Sequence, residues 1–187
     1  EEIEYRKGIA TSFNNLGIMY KSQGNNEQAI SYYSKSLKIR ESMNDKKGVA
    51  TSLNNIGLIY VSQDNLEKAL AYFLNCLEIS LILEDKRLQE SCYTNIGIVF
   101  KEQKNYDESF KYLEKSLNLS KEINDLIGIE KSYFQIGALL RLKRNFEDAI
   151  QYFEKSIEIA KKLNDKKSLA QAYEQLGYLK LDLLDYK

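Results

Sequence analysis

The side chains that could do chemistry in this chain of 187 residues are amides, carboxylates and lysines, because histidine is absent altogether. Without an imidazole, the commonest general base and the commonest metal ligand are both missing. Glu154 and Glu158 lie four residues apart, a spacing that puts two acids on one helical face, but Lys155, Lys161 and Lys162 surround them. That pattern favours a solvated charged face over a paired-acid site. Cys76 and Cys92 are isolated, with 15 residues between them. They lack the paired spacing of a zinc site or a redox motif and are expected to be small buried hydrophobes. No Gly-rich loop follows a strand, so a phosphate cradle of the known type is also missing. These absences lead to the expectation of a protein that is not an enzyme and takes no cofactor and no metal.

The amides are more regular. Asn15, Asn55, Asn95, Gln135 and Gln175 recur every 40 residues, each two residues before Gly17, Gly57, Gly97, Gly137 and Gly177. A fixed period of this length marks a repeat array, in which each unit buries its apolar face only against its neighbours. Counting from the residue that opens each unit, the repeats are 10–49, 50–89, 90–129 and 130–169, with the tail of a preceding repeat in 1–9 and a partial one in 170–187. The 27 basic and 27 acidic residues cancel, so no basic field draws the chain to phosphate backbones or anionic membranes. A helical-repeat RNA binder is disfavoured on the same ground. No apolar run is long enough to span a membrane, and no secretory leader is present. The sequence names no compartment, though it leans towards the cytoplasm.

The elements that must position the amides are helices. Proline is absent, and the apolar residues keep helical spacing. Leu53, Ile56, Gly57 and Tyr60 form one stripe, as do Phe13, Leu16, Gly17 and Tyr20. This is helix A. Asn25, Asn65, Asn105 and Asn145 then hold one position, with an acid two residues later, which predicts N-caps for a helix B. Helix B alternates small and large residues, as in Ala29, Tyr33, Ser36 and Leu37 or Ala149, Phe153, Ser156 and Ile157. Asp45, Asp85, Asp125 and Asp165 are the expected caps of the next helix A. A helix of ~17 residues is about 25 Å long. A glycine inside helix A costs about 0.5–1 kcal/mol relative to alanine, so its recurrence implies close approach of helix B. Tyr20, Tyr60, Tyr93, Tyr133 and Tyr173 are expected in the core, and Tyr178 on the ligand face.

Taken together, the bulky residue, the Leu or Ile with Gly, the Tyr, the turn, and then the Ala, the aromatic and the small residue resemble the tetratricopeptide repeat over the whole chain. Six extra residues per repeat, and Glu41, Leu81, Lys121 and Lys161 where proline is frequent, are departures from it. The 40-residue form is similar to repeats of kinesin light chains, of modulators of heterotrimeric G proteins, and of bacterial regulators in which an array precedes a histidine kinase, a cyclase or a DNA-binding domain. The resemblance implies an all-α fold, an α-solenoid of antiparallel helix-turn-helix repeats forming a right-handed superhelix, with helix A lining a concave groove.

It also carries ligand contact onto Asn15, Asn55, Asn95, Gln135 and Gln175, whose side chains each offer a donor and an acceptor to a peptide backbone. Asn14, Asn54, Lys101, Lys131 and Arg141 are the neighbouring groove residues, and the three cations would favour an acidic ligand in the C-terminal half. The competing account is that the amides only satisfy neighbouring helices or water. The leading expectation is thus a non-enzymatic scaffold that binds a protein or peptide, without nucleic acid or membrane partners. The alternative is a sensory or autoinhibitory module of a larger bacterial signalling protein. Because Glu1 begins in mid-repeat and Asp185-Tyr186 matches the turn before a helix B, the sequence is expected to be an excised fragment, with open ends that could self-associate.

Overall fold

The computed structural model of the protein describes residues 2–184, so the expected turn at Asp185-Tyr186 lies outside the described residues. Among the described residues there are nine α-helices and no strand: α1 (Glu2–Ser22), α2 (Asn26–Ser42), α3 (Lys46–Ser62), α4 (Leu66–Ile82), α5 (Lys86–Glu102), α6 (Tyr106–Glu122), α7 (Leu126–Leu142), α8 (Phe146–Lys162) and α9 (Lys166–Leu184). Odd-numbered helices are the A helices and even-numbered ones the B helices. The fold is all-α, built from the helix-turn-helix pairs of an α-solenoid. No helix is long and apolar enough to cross a membrane.

The three-residue connections explain why the helices have the same length. Helices α2 to α8 are each 17 residues long. In the turn after α2, Asn44 adopts a left-handed φ of 55°. Its amide donates to Glu41 O, while the amide of Asp45 donates to Arg40 O. This paired closure satisfies the last carbonyls of a helix. Asp45 then turns its carboxylate onto the amide of Gly48 at 3.0 Å, capping α3. One residue therefore closes one helix and opens the next. Asn25 and Asn65 do the same, accepting from the amides of Gln28 and Lys68, and so do Asp85, Asp125 and Asp165. Asn105 and Asn145 hold the N-cap position without a capping bond. At Asn145 the amide donates to Asp148 instead.

The chain divides into two compact units, Glu1–Asn95 and Ile96–Lys187, with the boundary inside α5. In the first, α1, α2, α3 and α4 pack in chain order, and the core gathers Ala29, Tyr33, Ile56 and Ile59. In the second, α6, α7, α8 and α9 do so around Leu113, Ile136, Leu139 and Phe153. The repeated glycine does what its position demands. A Cβ on Gly57 would lie 2.6 Å from Phe73 Cε1, and one on Gly17 2.5 Å from Tyr33 Cε1, so helix B rests against a bare patch of helix A. Gly177 has nothing comparable within 4 Å. Tyr173 departs from the expected core pattern, being 52% exposed.

Candidate functional site

The A helices bring the amides together in rungs. In the first unit, Asn55 Nδ2 on α3 donates to Asn14 Oδ1 on α1 at 3.1 Å, and Asn95 Nδ2 on α5 donates to Asn54 Oδ1 on α3 at 2.8 Å. Each rung joins one A helix to the A helix of the following repeat. Asn15, at the start of the series, is exposed. The side chains of Asn14, Asn54, Asn55 and Asn95 are half-buried and reachable from solvent. An amide carries two N–H donors and an acceptor oxygen, so a rung that uses one donor leaves capacity for a ligand.

The second unit builds its rungs from cations. Thr94 and Phe134 stand where the first unit has Asn14 and Asn54, so no amide is available there. Two helical turns further on, Lys101 Nζ donates to Gln135 Oε1 at 3.1 Å, and Arg141 Nη1 donates to Gln175 Oε1 at 3.1 Å. Arg141 also holds Asp182 through Nε at 2.7 Å and lies over the ring of Tyr178, with 5.3 Å to its centroid. Lys101 is also 3.5 Å from Glu102. The cations are thus partly neutralised by the chain itself, whereas Lys131 is exposed. Tyr178 is 45% exposed and donates its hydroxyl to Glu174.

Some groove positions are locally satisfied. Thr11 and Thr51 donate to the carbonyls of Lys7 and Lys47 one turn back. Burial lowers the pKa of Lys21. The Glu154 and Glu158 pair is a solvated face, with Glu158 bound to Lys162 at 2.7 Å and its carboxyl pKa lowered by that bond. Among the described residues, no group of three or more acids and cysteines could hold a metal ion.

Two polar groups escaped the sequence reading. Glu90 and Glu130 are buried at the register of Ala10 and Ala50. Glu130 Oε1 accepts from Ser156 Oγ at 2.8 Å, and its Oε2 accepts from Ser168 Oγ at 3.4 Å, which links α7 to α8 and α9. A carboxylate at a position where the repeat otherwise places alanine was the signal available in the sequence.

Family models described as tetratricopeptide repeat match residues 10–43, 48–122 and 130–163. No curated protein matches the sequence significantly. Among solved structures, BtubC (BKLC) from P. vanneervenii is similar at 16% identity and a TM-score of 0.83, with 97% of this chain and 75% of that one covered. The apo form of RapI is similar at 24% identity and a TM-score of 0.83, with 100% and 69% covered. Aspartyl phosphate phosphatase F from Bacillus subtilis is similar at 16% identity and a TM-score of 0.84, with 97% of this chain but only 50% of that one covered.

These likenesses overturn the expectation of a non-enzymatic, passive scaffold, because the same helical fold is found in a phosphatase. The physical weakness of that expectation was its reliance on the missing histidine. An amide side chain can orient the water that attacks a phosphoryl group, so phosphoryl chemistry does not require an imidazole.

Proposed function

This chain belongs to the tetratricopeptide-repeat family, and we propose that it serves as the ligand-sensing module of a bacterial signalling protein. The single observation that carries this reading is the rung geometry: Asn55 to Asn14 and Asn95 to Asn54 are bonds between successive A helices. A peptide that hydrogen-bonds to those amides acts on the same groups that fix one repeat against the next. Binding free energy and inter-repeat geometry are then linked, as a sensor requires. The likeness to aspartyl phosphate phosphatase F supports acyl-phosphate signalling as the class of output. Asn15, Asn55, Asn95, Gln135 and Gln175 are the proposed backbone contacts. Asn14, Asn54, Lys101, Lys131 and Arg141 are the proposed determinants of side-chain preference.

The test is selection of displayed peptides on the immobilised chain, followed by calorimetric titration of the selected peptide. Each neutral hydrogen bond contributes about 0.5–1.5 kcal/mol, so Asn55→Ala with Asn95→Ala is expected to weaken binding by about 10-fold or more at unchanged helicity. Full affinity in the double variant would remove the amide rungs from the site.

A further inference from the structure

The two cysteines of the chain meet. Repeat register places residues 36, 76, 116 and 156 on the B helices, and residues 52, 92, 132 and 172, sixteen positions later, on the A helices that follow. At the third of these pairs, Ser116 Oγ and Ser132 Oγ lie 3.2 Å apart in a buried hydrogen bond. At the second, both positions are cysteine: Cys92 Sγ on α5 donates to Cys76 Sγ on α4 at 3.0 Å. Both thiols are free and fully buried. The spacing of 15 intervening residues, which matches no short redox motif, therefore gives contact through the fold.

We propose that Cys76 and Cys92 form a reversible intramolecular disulfide, making the α4–α5 contact an oxidation site for hydrogen peroxide. A disulfide has an S–S length of about 2.05 Å, so the sulfurs close by roughly 1 Å, a distance that side-chain rotation covers. In the first step, the Cys76 thiolate attacks one peroxide oxygen. The O–O bond breaks, and the departing hydroxide takes up a proton to become water, leaving Cys76 as a sulfenic acid. In the second step, the Cys92 sulfur attacks the sulfenic sulfur. The S–S bond forms, the S–O bond breaks, and the leaving hydroxide takes the Cys92 proton as a second water. The two sulfurs together give two electrons to one peroxide. The hydrogen bond to Cys76, reinforced by burial, holds the proton on Cys92 by raising its pKa. Closure is accordingly slow in the packed state and faster when α4 and α5 part.

The experiment is peroxide treatment of the whole chain, followed by denaturation and alkylation of the remaining thiols. Intact mass, linked-peptide mapping and thermal unfolding are the readouts. The expected product is a monomer that has lost two hydrogens and both alkylatable thiols, with the Cys76 and Cys92 peptides joined and the reduced form restored by a phosphine. A cross-link closing a loop of this size raises the unfolding midpoint by about 6–12 °C. Cys76→Ser with Cys92→Ser copies the Ser116–Ser132 pair, so it folds and shows no oxidation-dependent shift. Both thiols alkylated in full after peroxide, sulfinic acid without a cross-link, or a cross-link only between molecules would each overturn the proposal.

Discussion

Two substitutions at one repeat position should move stability in opposite directions. Gly57 and Gly177 occupy the same register of helix A, so Gly→Ala gives each helix the same intrinsic gain of about 0.5–1 kcal/mol. Their surroundings differ. A Cβ at Gly57 would lie 2.6, 2.9 and 3.0 Å from Cε1, Cδ1 and Cζ of Phe73, which is fully buried, whereas one at Gly177 meets nothing within 4 Å. Carbon atoms in ordinary contact sit about 3.5–4.0 Å apart, so the Phe73 ring must withdraw by roughly 1 Å. Overpacking of this kind costs about 1–3 kcal/mol, which offsets the helical gain and leaves Gly57→Ala between neutral and about 2 kcal/mol less stable. Gly177→Ala retains its gain. At about 2–4 °C per kcal/mol for a chain of this size, the two variants should differ in unfolding midpoint by about 2–12 °C, with Gly177→Ala the higher. Far-UV circular dichroism on heating reads this directly. Equal stabilisation by both substitutions would refute the close-approach account of the repeated glycine.

Ser52 Oγ is buried without a hydrogen-bond partner. Ser52→Ala should therefore raise stability by about 1 kcal/mol in urea unfolding, since an unsatisfied buried hydroxyl costs about 1–3 kcal/mol. Lys104 holds a left-handed φ of 60°, so Lys104→Gly should stabilise by about 1 kcal/mol, and a loss on the same assay would contradict the turn reading. The hydrogen bond from Lys47 at 2.7 Å depresses the carboxyl pKa of Asp85, aided by the backbone amides of Leu88 and Arg87. A depressed folded pKa means that its contribution is complete above the ordinary value of about 3.9 and is lost as pH falls through the folded value. Asp85→Asn should thus cost about 1 kcal/mol at neutral pH and flatten the acid limb of the stability profile.

The period of 40 residues made most of the fold legible. Helix pairs, caps and glycine contacts all repeat, and a repeated environment leaves a repeated residue type, as at Asp45, Asp125 and Asp165. The site was less legible because hydrogen-bond direction and partner are tertiary facts. Asn55 and Asn14 are recognisable as amides in register, but only the packing of α1 against α3 shows that they bond to each other. The shift of the rung from Asn54 to Lys101 and Arg141 likewise depends on which residue can reach the next A helix. Cys76 and Cys92 were read by their separation in sequence, whereas the relevant separation is across the α4–α5 turn. Tyr173 was placed by register in the core, yet the packing around α9 leaves it open to solvent.

The central claim is that ligand binding and inter-repeat geometry act on the same amides. Hydrogen–deuterium exchange of the whole chain, with and without the selected peptide, tests it most directly. The account predicts slowed exchange in α3 and α5 around Asn55 and Asn95, together with a change in α1 across the Asn14 rung. Slowed exchange confined to B helices, with α1, α3 and α5 unchanged, would contradict it.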